Sequence, residues 1–399
     1  MQPHSTQPTT RHSAPFTLPP TSIQEVETQF LRIDRPFSLV EGQKLEELDI
    51  AYETYGTLNA AKDNAVLLFH AFSGSQHACG VNRSVPDLYV SWTEQVQIGW
   101  WNDFIGPGKA LDTDHLFVIC ANMLGGCYGT TGPSSIIPGT EGKRYGKDFP
   151  WITARDVAHS QALLLDHLGI DKLHSVVGPS LGGIMAISFA LEYPDRVSSV
   201  IPIGTSHAIS PDQISINFHQ VQAIDLDPNF NGGDYYNGEP PHKGLVLARQ
   251  LAQMTFVDKS SLIRRAGNQV SNPSRFPAYR MTHPVESYLR GNAARFVDRF
   301  DANSYLVMLD LWQRSDLLGM FDSPNFETLF GRLRDSKFLI FGIDSDNCFP
   351  VSQQEELHND LTRGGVASAL RVVSSAKGHD SFLVEPALYT EELRRFLEL

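Results

Sequence analysis

Six short runs of this chain are too uniformly apolar to present one face to water, and helical patterns lie between several of them. They are AVLLFH at 65–70, LFVICA at 116–121, HSVVG at 174–178, VSSVIPI at 197–203, KFLIFG at 337–342 and LRVVS at 370–374. Strands buried on both faces belong to mostly parallel sheets covered by helices, so the pattern predicts a doubly wound α/β architecture. The clearest connecting helix follows Thr153, an N-cap residue with Asp156 three positions on. Ala154, Val157, Ala158, Ala162, Leu165 and Leu168 then recur at three-to-four spacing until Gly169 stops the pattern.

The alternation breaks over 206–334. GLVLARQLAQM at 244–254 and the stretch 304–318 read as helices there, separated by turn-rich pieces such as DPNFNGGDYYNGEPP, and no buried-strand run occurs. Strand runs then resume. This predicts one catalytic α/β domain over 26–205 and 335–399, interrupted by an inserted helical lid at 206–334. The leader at 1–25 opens MQPHSTQPTTRHSAPFTLPP, rich in Pro, Thr and Ser and without an apolar core, so it is expected to be flexible rather than a secretory signal.

Chemistry enters with Gly178-Pro179-Ser180-Leu181-Gly182, between the run HSVVG and the helical run at 183–191. A serine at the sharp turn from strand to helix exposes its hydroxyl beside unpaired helix N–H groups, and the two glycines permit the close backbone approach. A serine hydroxyl is a weak nucleophile near neutrality, so it needs a histidine base, itself oriented by a carboxylate. In this architecture the chain order is Ser, Asp or Glu, then His. KFLIFG runs into Ile343-Asp344-Ser345-Asp346, and LRVVS leads to Gly378-His379-Asp380. The order is met, with His379 as base and either Asp344 or Asp346 as its partner. An oxyanion hole needs two backbone donors. The N–H of Leu181 is one, and Phe72 in the loop His70-Ala71-Phe72-Ser73-Gly74 is chosen as the other.

Charge and motif counts exclude other classes. Lys+Arg 32 against Asp+Glu 45 leaves −13, the wrong sign for a general phosphate-backbone binder, so no nucleic-acid partner is expected. No stretch reaches the ~18 to 20 apolar residues of a membrane span. The four cysteines, at 79, 120, 127 and 348, form no C-x-x-C pair and are too sparse for a disulfide scaffold, which fits a reducing, cytoplasmic setting. Cys120 and Cys127 read as small buried hydrophobes. Neither an H-E-x-x-H zinc pattern nor a GxxxxGK[ST] loop is present, so no metal and no permanently bound cofactor is expected.

From about Phe37 onward the chain resembles the homoserine O-acetyltransferase family of α/β-hydrolase-fold acyltransferases. The stretches that carry the resemblance are AYETYGTLN, GWWNDFIGPGKALDTDHLFVICANMLGGCYGTTGPSS, DFPWITARDVAHSQALLLDHLGI, GPSLGG, KGLVLAR, PVESYLRGNAARFVDRFDANSYL, DSDNCFP and GHDSFL. The resemblance assigns Ser180 as nucleophile, Asp346 rather than Asp344 as the orienting carboxylate, and His379 as base. It implies that Arg249 and Asp380 bind the acceptor amino acid, an arginine suiting an α-carboxylate and a carboxylate an α-ammonium. It further implies acetyl-CoA as acyl donor, small-molecule substrates, a homodimer through the insertion, and a ping-pong reaction with L-homoserine. Serine as acceptor, succinyl-CoA as donor and plain ester hydrolysis are the alternatives. The chain departs from the family at Gln253-Met254-Thr255-Phe256, where His-x-Thr-Tyr is usual, so Phe256 lacks a phenolic hydroxyl.

Overall fold

The computed structural model describes residues 25–258, 263–264 and 283–398. Apart from Glu25, which bridges to Val81, the leader lies outside the described residues.

Eight strands form the central sheet: β1 Gln29–Ile33, β2 Leu48–Tyr55, β3 Ala65–Leu68, β4 Phe117–Ala121, β5 Ser175–Pro179, β6 Ser199–Ile203, β7 Lys337–Ile343 and β8 Ala367–Val373. Their order across the sheet is β1-β2-β4-β3-β5-β6-β7-β8. β2 runs antiparallel to β1 and β4, and the other pairings are parallel. Alternate residues supply two cores. Val66, Leu68, Val118, Cys120, Ile201, Ile203, Leu339 and Phe341 face one layer, while Leu67, Ile119, Val176, Val200, Phe338 and Ile340 face the other. Burial on both faces is what removed the polar alternation from these runs.

Helix α1, Ala154–Leu168, has the predicted ends. Thr153 and Asp156 form a reciprocal capping box, and Gly169 terminates the helix at φ 67°, a left-handed conformation that glycine adopts without strain. Asp156 also accepts the Val40 N–H at 2.8 Å, so the cap ties an N-terminal segment to the domain.

Two strands escaped the apolar-run criterion. β2 carries Glu53 at its fully buried centre, where His77, Tyr55, Thr28 and Asn82 hydrogen-bond the carboxylate. Burial opposes its ionisation, but the hydrogen bond and charge of His77, with Asn82 and Tyr55, hold its carboxyl below the usual range. β1 is mostly exposed. The final run needs correcting as well. β8 begins at Ala367 and is an edge strand with exposed Arg371 and Val372, not a buried one, because only β7 pairs with it.

Between β6 and β7 lie α3 Pro211–Asp225, α4 His242–Phe256, α5 Pro284–Phe296 and α6 Ala302–Gln313, with no strand among the described residues. The pattern read as one helix over 304–318 stops at Gln313. Asp316 then caps a separate turn, Leu317–Met320, by accepting the Gly319 N–H. Helix α2, Leu181–Glu192, follows β5 directly and is buried along nearly its whole length.

Candidate active site

The turn from β5 into α2 places Ser180 at φ 56°, ψ −128°, a conformation that L-residues avoid. The surroundings hold it there. The Ser180 N–H donates to Ile203 O at 2.9 Å, and the Gly183 N–H returns to Ser180 O at 2.8 Å. A Cβ on Gly178 would lie 2.0 Å from Gly182 O, and one on Gly182 would lie 2.4 Å from Phe69 O. Only glycine allows this crossing of backbones, which is why the serine is flanked by glycines at those two positions.

The sheet brings distant loops to this turn. His379 Nε2 lies 2.8 Å from Ser180 Oγ, and His379 Nδ1 lies 2.6 Å from Asp346 Oδ2. The other carboxylate oxygen of Asp346 accepts the N–H groups of Cys348 and Phe349 at 2.7 and 2.9 Å. All three side chains are buried. Asp344, two residues before, is exposed and accepts the Ser375 N–H instead. A carboxylate held by two backbone donors, facing a histidine that faces a serine, is the arrangement that converts a hydroxyl into a nucleophile.

Residues 64–386 match the family model described as alpha/beta hydrolase fold. Homoserine O-acetyltransferase of Deferribacter desulfuricans is 41% identical over 377 residues, 94% of this chain and 96% of the relative. Homoserine O-succinyltransferase of Alkalilimnicola ehrlichii is 39% identical over 387 residues, 96% and 98% of the two chains. The chain belongs to the homoserine O-acetyltransferase family, on the α/β-hydrolase fold. Among solved structures, homoserine O-acetyltransferase from Bacillus anthracis superposes with a TM-score of 0.84 at 28% identity, covering 94% of this chain and 99% of that one. Esterase E22 superposes at 0.82 with 31% identity, covering 94% and 100%.

Within this homoserine O-acetyltransferase family member, the loop after β3 is braced by a residue whose part the sequence reading missed. His70 is buried. Its Nδ1 faces Ala71 O at 2.8 Å, and its Nε2 faces the Met123 N–H at 3.0 Å. A carbonyl only accepts and an amide N–H only donates, so the ring is the neutral tautomer with its proton on Nδ1. Burial pushes the His70 pKa down to about 4, in keeping with that state. Ala71 O also accepts the Gly74 N–H. Because C=O and N–H of a planar trans peptide point opposite ways, fixing Ala71 O fixes the direction of the Phe72 N–H. The signal in the sequence was only a histidine at a strand end.

The insertion reaches the site through the end of α4. A Cβ on Gly378 would lie 2.7 Å from Phe256 O, so this helix end packs directly on the loop carrying His379. The Phe256 ring stacks on the His379 ring at 5.7 Å and lies under the Arg249 guanidinium at 5.1 Å. Phe349 also stacks on His379, at 5.4 Å, and Phe382 meets it edge-on at 5.0 Å. Arg249 is half-buried, and a second ring, Phe296, lies 4.6 Å from it. Burial lowers its pKa, as does the charge of Arg299, while Tyr305 and Asp380 act in the opposite direction. Among the described residues no carboxylate lies within ion-pair distance of Arg249. Asp380 follows His379 in the same short turn, Gly378–Asp380.

Of the residues singled out from sequence, Ser180, Asp346 and His379 form one hydrogen-bonded chain. Leu181 opens α2, Phe72 sits in the His70-braced loop, Arg249 reaches the histidine only through the intervening Phe256 ring, and Asp380 follows His379 in its turn. Among the described residues no group of three or more His, Cys, Asp or Glu side chains could hold a metal ion, and no helix is long and apolar enough to cross a membrane. The four cysteines form no disulfide and are buried, and burial pushes the Cys120 and Cys127 thiols up.

Proposed function

We propose that this chain transfers an acetyl group from acetyl-CoA to the hydroxyl of L-homoserine by a ping-pong route through Ser180. His379 Nε2 takes the proton as Ser180 Oγ attacks the thioester carbonyl. The N–H groups of Leu181 and Phe72 hold the resulting oxyanion, and Asp346 keeps the imidazolium oriented. Collapse breaks the C–S bond, and CoA leaves as its thiol with the proton from His379. The acceptor hydroxyl then gives its proton to His379 and attacks the acyl-serine; expulsion of Ser180 Oγ, reprotonated by His379, completes the cycle.

The observation that carries acyl transfer over hydrolysis is Arg249. A half-buried guanidinium between two aromatic rings, with no carboxylate at ion-pair distance among the described residues, is costly to maintain, and an incoming α-carboxylate supplies the missing charge. Asp380, next to His379 in the same turn and close enough for its charge to act on Arg249, suits the α-ammonium. Succinyl transfer and serine as acceptor share this machinery, and the likeness to esterase E22 makes hydrolysis the reading to be tested against. Buried free cysteines support a cytoplasmic setting. Exposed Phe218, Leu226 and Leu247 on and beside the insertion helices α3 and α4 support pairing of two copies through the insertion.

The deciding experiment follows thiol release from acetyl-CoA and succinyl-CoA with homoserine, serine or no acceptor. Release that depends on homoserine, with O-acetylhomoserine as product, is expected. Equal release without an acceptor makes the protein a hydrolase.

A further inference from the structure

Two fully buried ionisable side chains take no part in the chemistry above. They are Glu53 and His77, and His77 Nδ1 lies 2.8 Å from Glu53 Oε2. The hydrogen bonds around them place the protons. The Tyr55 hydroxyl accepts the N–H groups of Ala78 and Cys79 at 2.7 and 3.1 Å, so its own proton goes to Glu53 Oε2 at 2.7 Å. Thr28 Oγ1 accepts from the side-chain amides of Gln76 and Asn82, both at 3.0 Å, so its proton goes to Glu53 Oε1 at 2.8 Å. Asn82 Nδ2 also donates to Glu53 Oε1, at 2.9 Å. With three donors already on its oxygens, Glu53 is held as a carboxylate, and His77 Nδ1 donates to it. His77 Nε2 faces the Gln97 carbonyl at 3.0 Å, which can only accept. Both ring nitrogens of His77 therefore carry a proton, whereas His70 carries one. The pair is a buried imidazolium and carboxylate.

Such a pair is a poor source of stability, because desolvation offsets most of the attraction, and its use lies in fixing one geometry. Here it fixes a loop. Glu53 and Tyr55 stand two apart on β2 and so project from the same face of the strand. Together they hold the chain at His77, Ala78 and Cys79. The His77 N–H donates back to Ser75 Oγ at 3.2 Å, and Ser75 O accepts the Trp100 Nε1–H at 2.9 Å. Just before, Gly74 closes the loop on its own start: its N–H donates to Ala71 O at 2.8 Å, and a Cβ on it would lie 2.8 Å from His70 Cβ. Phe72 is thus held between two histidines, a neutral one before it and a charged one after it.

We propose that Glu53, His77 and Tyr55 are positioning residues for acyl transfer: the charged pair fixes the exit of the 70–74 loop, as His70 fixes its entry, and so keeps the Phe72 N–H directed at the oxyanion. They act through this loop rather than on the reacting atoms. The role rests on the reading of Phe72 as an oxyanion donor and deepens it by naming what holds that donor in place.

The test uses p-nitrophenyl acetate, which acylates Ser180 whatever the acceptor, and ethylboronic acid, whose tetrahedral adduct on a serine places an oxygen where the oxyanion sits. Long-range proton–nitrogen NMR spectra of the wild type near neutral pH should show both ring nitrogens of His77 protonated and one of His70. Glu53→Gln keeps the side-chain shape and removes the charge; Tyr55→Phe keeps the ring and removes the hydroxyl that holds Ala78 and Cys79. With active sites counted from the p-nitrophenol burst, kcat per site is expected to fall about tenfold in the first variant and about fivefold in the second, with KM within about twofold of wild type. Affinity for ethylboronic acid should fall by the same factors. A merely structural contribution lowers the number of active sites or the melting temperature but leaves kcat per site and boronate affinity unchanged. That result overturns the positioning role, as does a single ring proton on His77. Phe72→Pro removes the donor N–H itself and should cost about 100-fold in both measurements. Wild-type values in that variant overturn the oxyanion reading of Phe72, and the positioning role with it.

Discussion

The sheet domain and the insertion contribute to one site in different ways. In the sheet domain the catalytic side chains and the histidine that braces them are already paired: Ser180 with His379, His379 with Asp346, Asp346 with two backbone N–H groups, and His70 with Ala71 and Met123. In the insertion a charged group beside the site is left incomplete. Arg249, between the Phe256 and Phe296 rings, has no carboxylate at ion-pair distance among the described residues. A satisfied network is rigid and holds reacting atoms in place, whereas unsatisfied buried groups are completed by what binds. The difference assigns chemistry to the sheet domain and substrate recognition to the insertion.

Substitutions in the two regions should therefore fail in different ways. The largest loss is expected for Ser180→Ala, which should remove both acyl-enzyme formation and transfer, lowering kcat by about 10⁴-fold or more. Mass spectrometry should find no acyl adduct. If adduct formation survived, the comparison would collapse at its centre. Asp346→Asn comes next. It leaves the histidine without its charged partner and should cost about 10³ to 10⁴-fold in kcat with little change in KM.

Arg249→Met sharpens the contrast. Its kcat/KM for homoserine is expected to fall about 100-fold while the pre-steady-state burst of CoA release persists, because the acyl-serine forms without the acceptor. Loss of the burst would place Arg249 with the chemistry instead. His70→Leu should lower kcat about tenfold by loosening the Phe72 peptide.

The same histidine gives a pH prediction. Its pKa is lowered in the folded state from 6.5 to about 4, so between those values the unfolded chain binds the additional proton. Its contribution to stability is thus complete above about pH 6.5 and is lost as pH falls towards 4, amounting to about 3 kcal/mol over the window. In His70→Leu, denaturant midpoints measured between pH 7 and 4 should fall less steeply than in the wild type. The smallest effect is expected for Phe256→Tyr, which keeps the stack on His379 and should change kcat/KM by no more than about threefold.

How much of this was readable from residue order follows the range of each interaction. The α1 capping box and the glycines around Ser180 are demands of adjacent backbone, so they are written in adjacent letters. The buried parallel strands show because burial on both faces erases alternation. β2 was hidden because it carries a buried glutamate, tolerable only with partners from residues 28, 55, 77 and 82 around it. Pattern alone left Asp344 and Asp346 equivalent. Their resemblance to a family motif favoured Asp346, and the fold separates them by exposure, with one side chain turned to solvent and the other to His379.

The sequence by itself determined the architecture and the identity of the nucleophile, since a strand, a tight Gly-flanked turn and a helix are local and their cost is paid within a dozen residues. Tertiary structure alone decided what meets the nucleophile. Ser180 and His379 are 199 positions apart, and Arg249 arrives from an insertion between them. No local propensity encodes such distances. They are set by the register of β5, β6, β7 and β8, whose parallel pairing brings the ends of these separated segments to the same edge of the sheet.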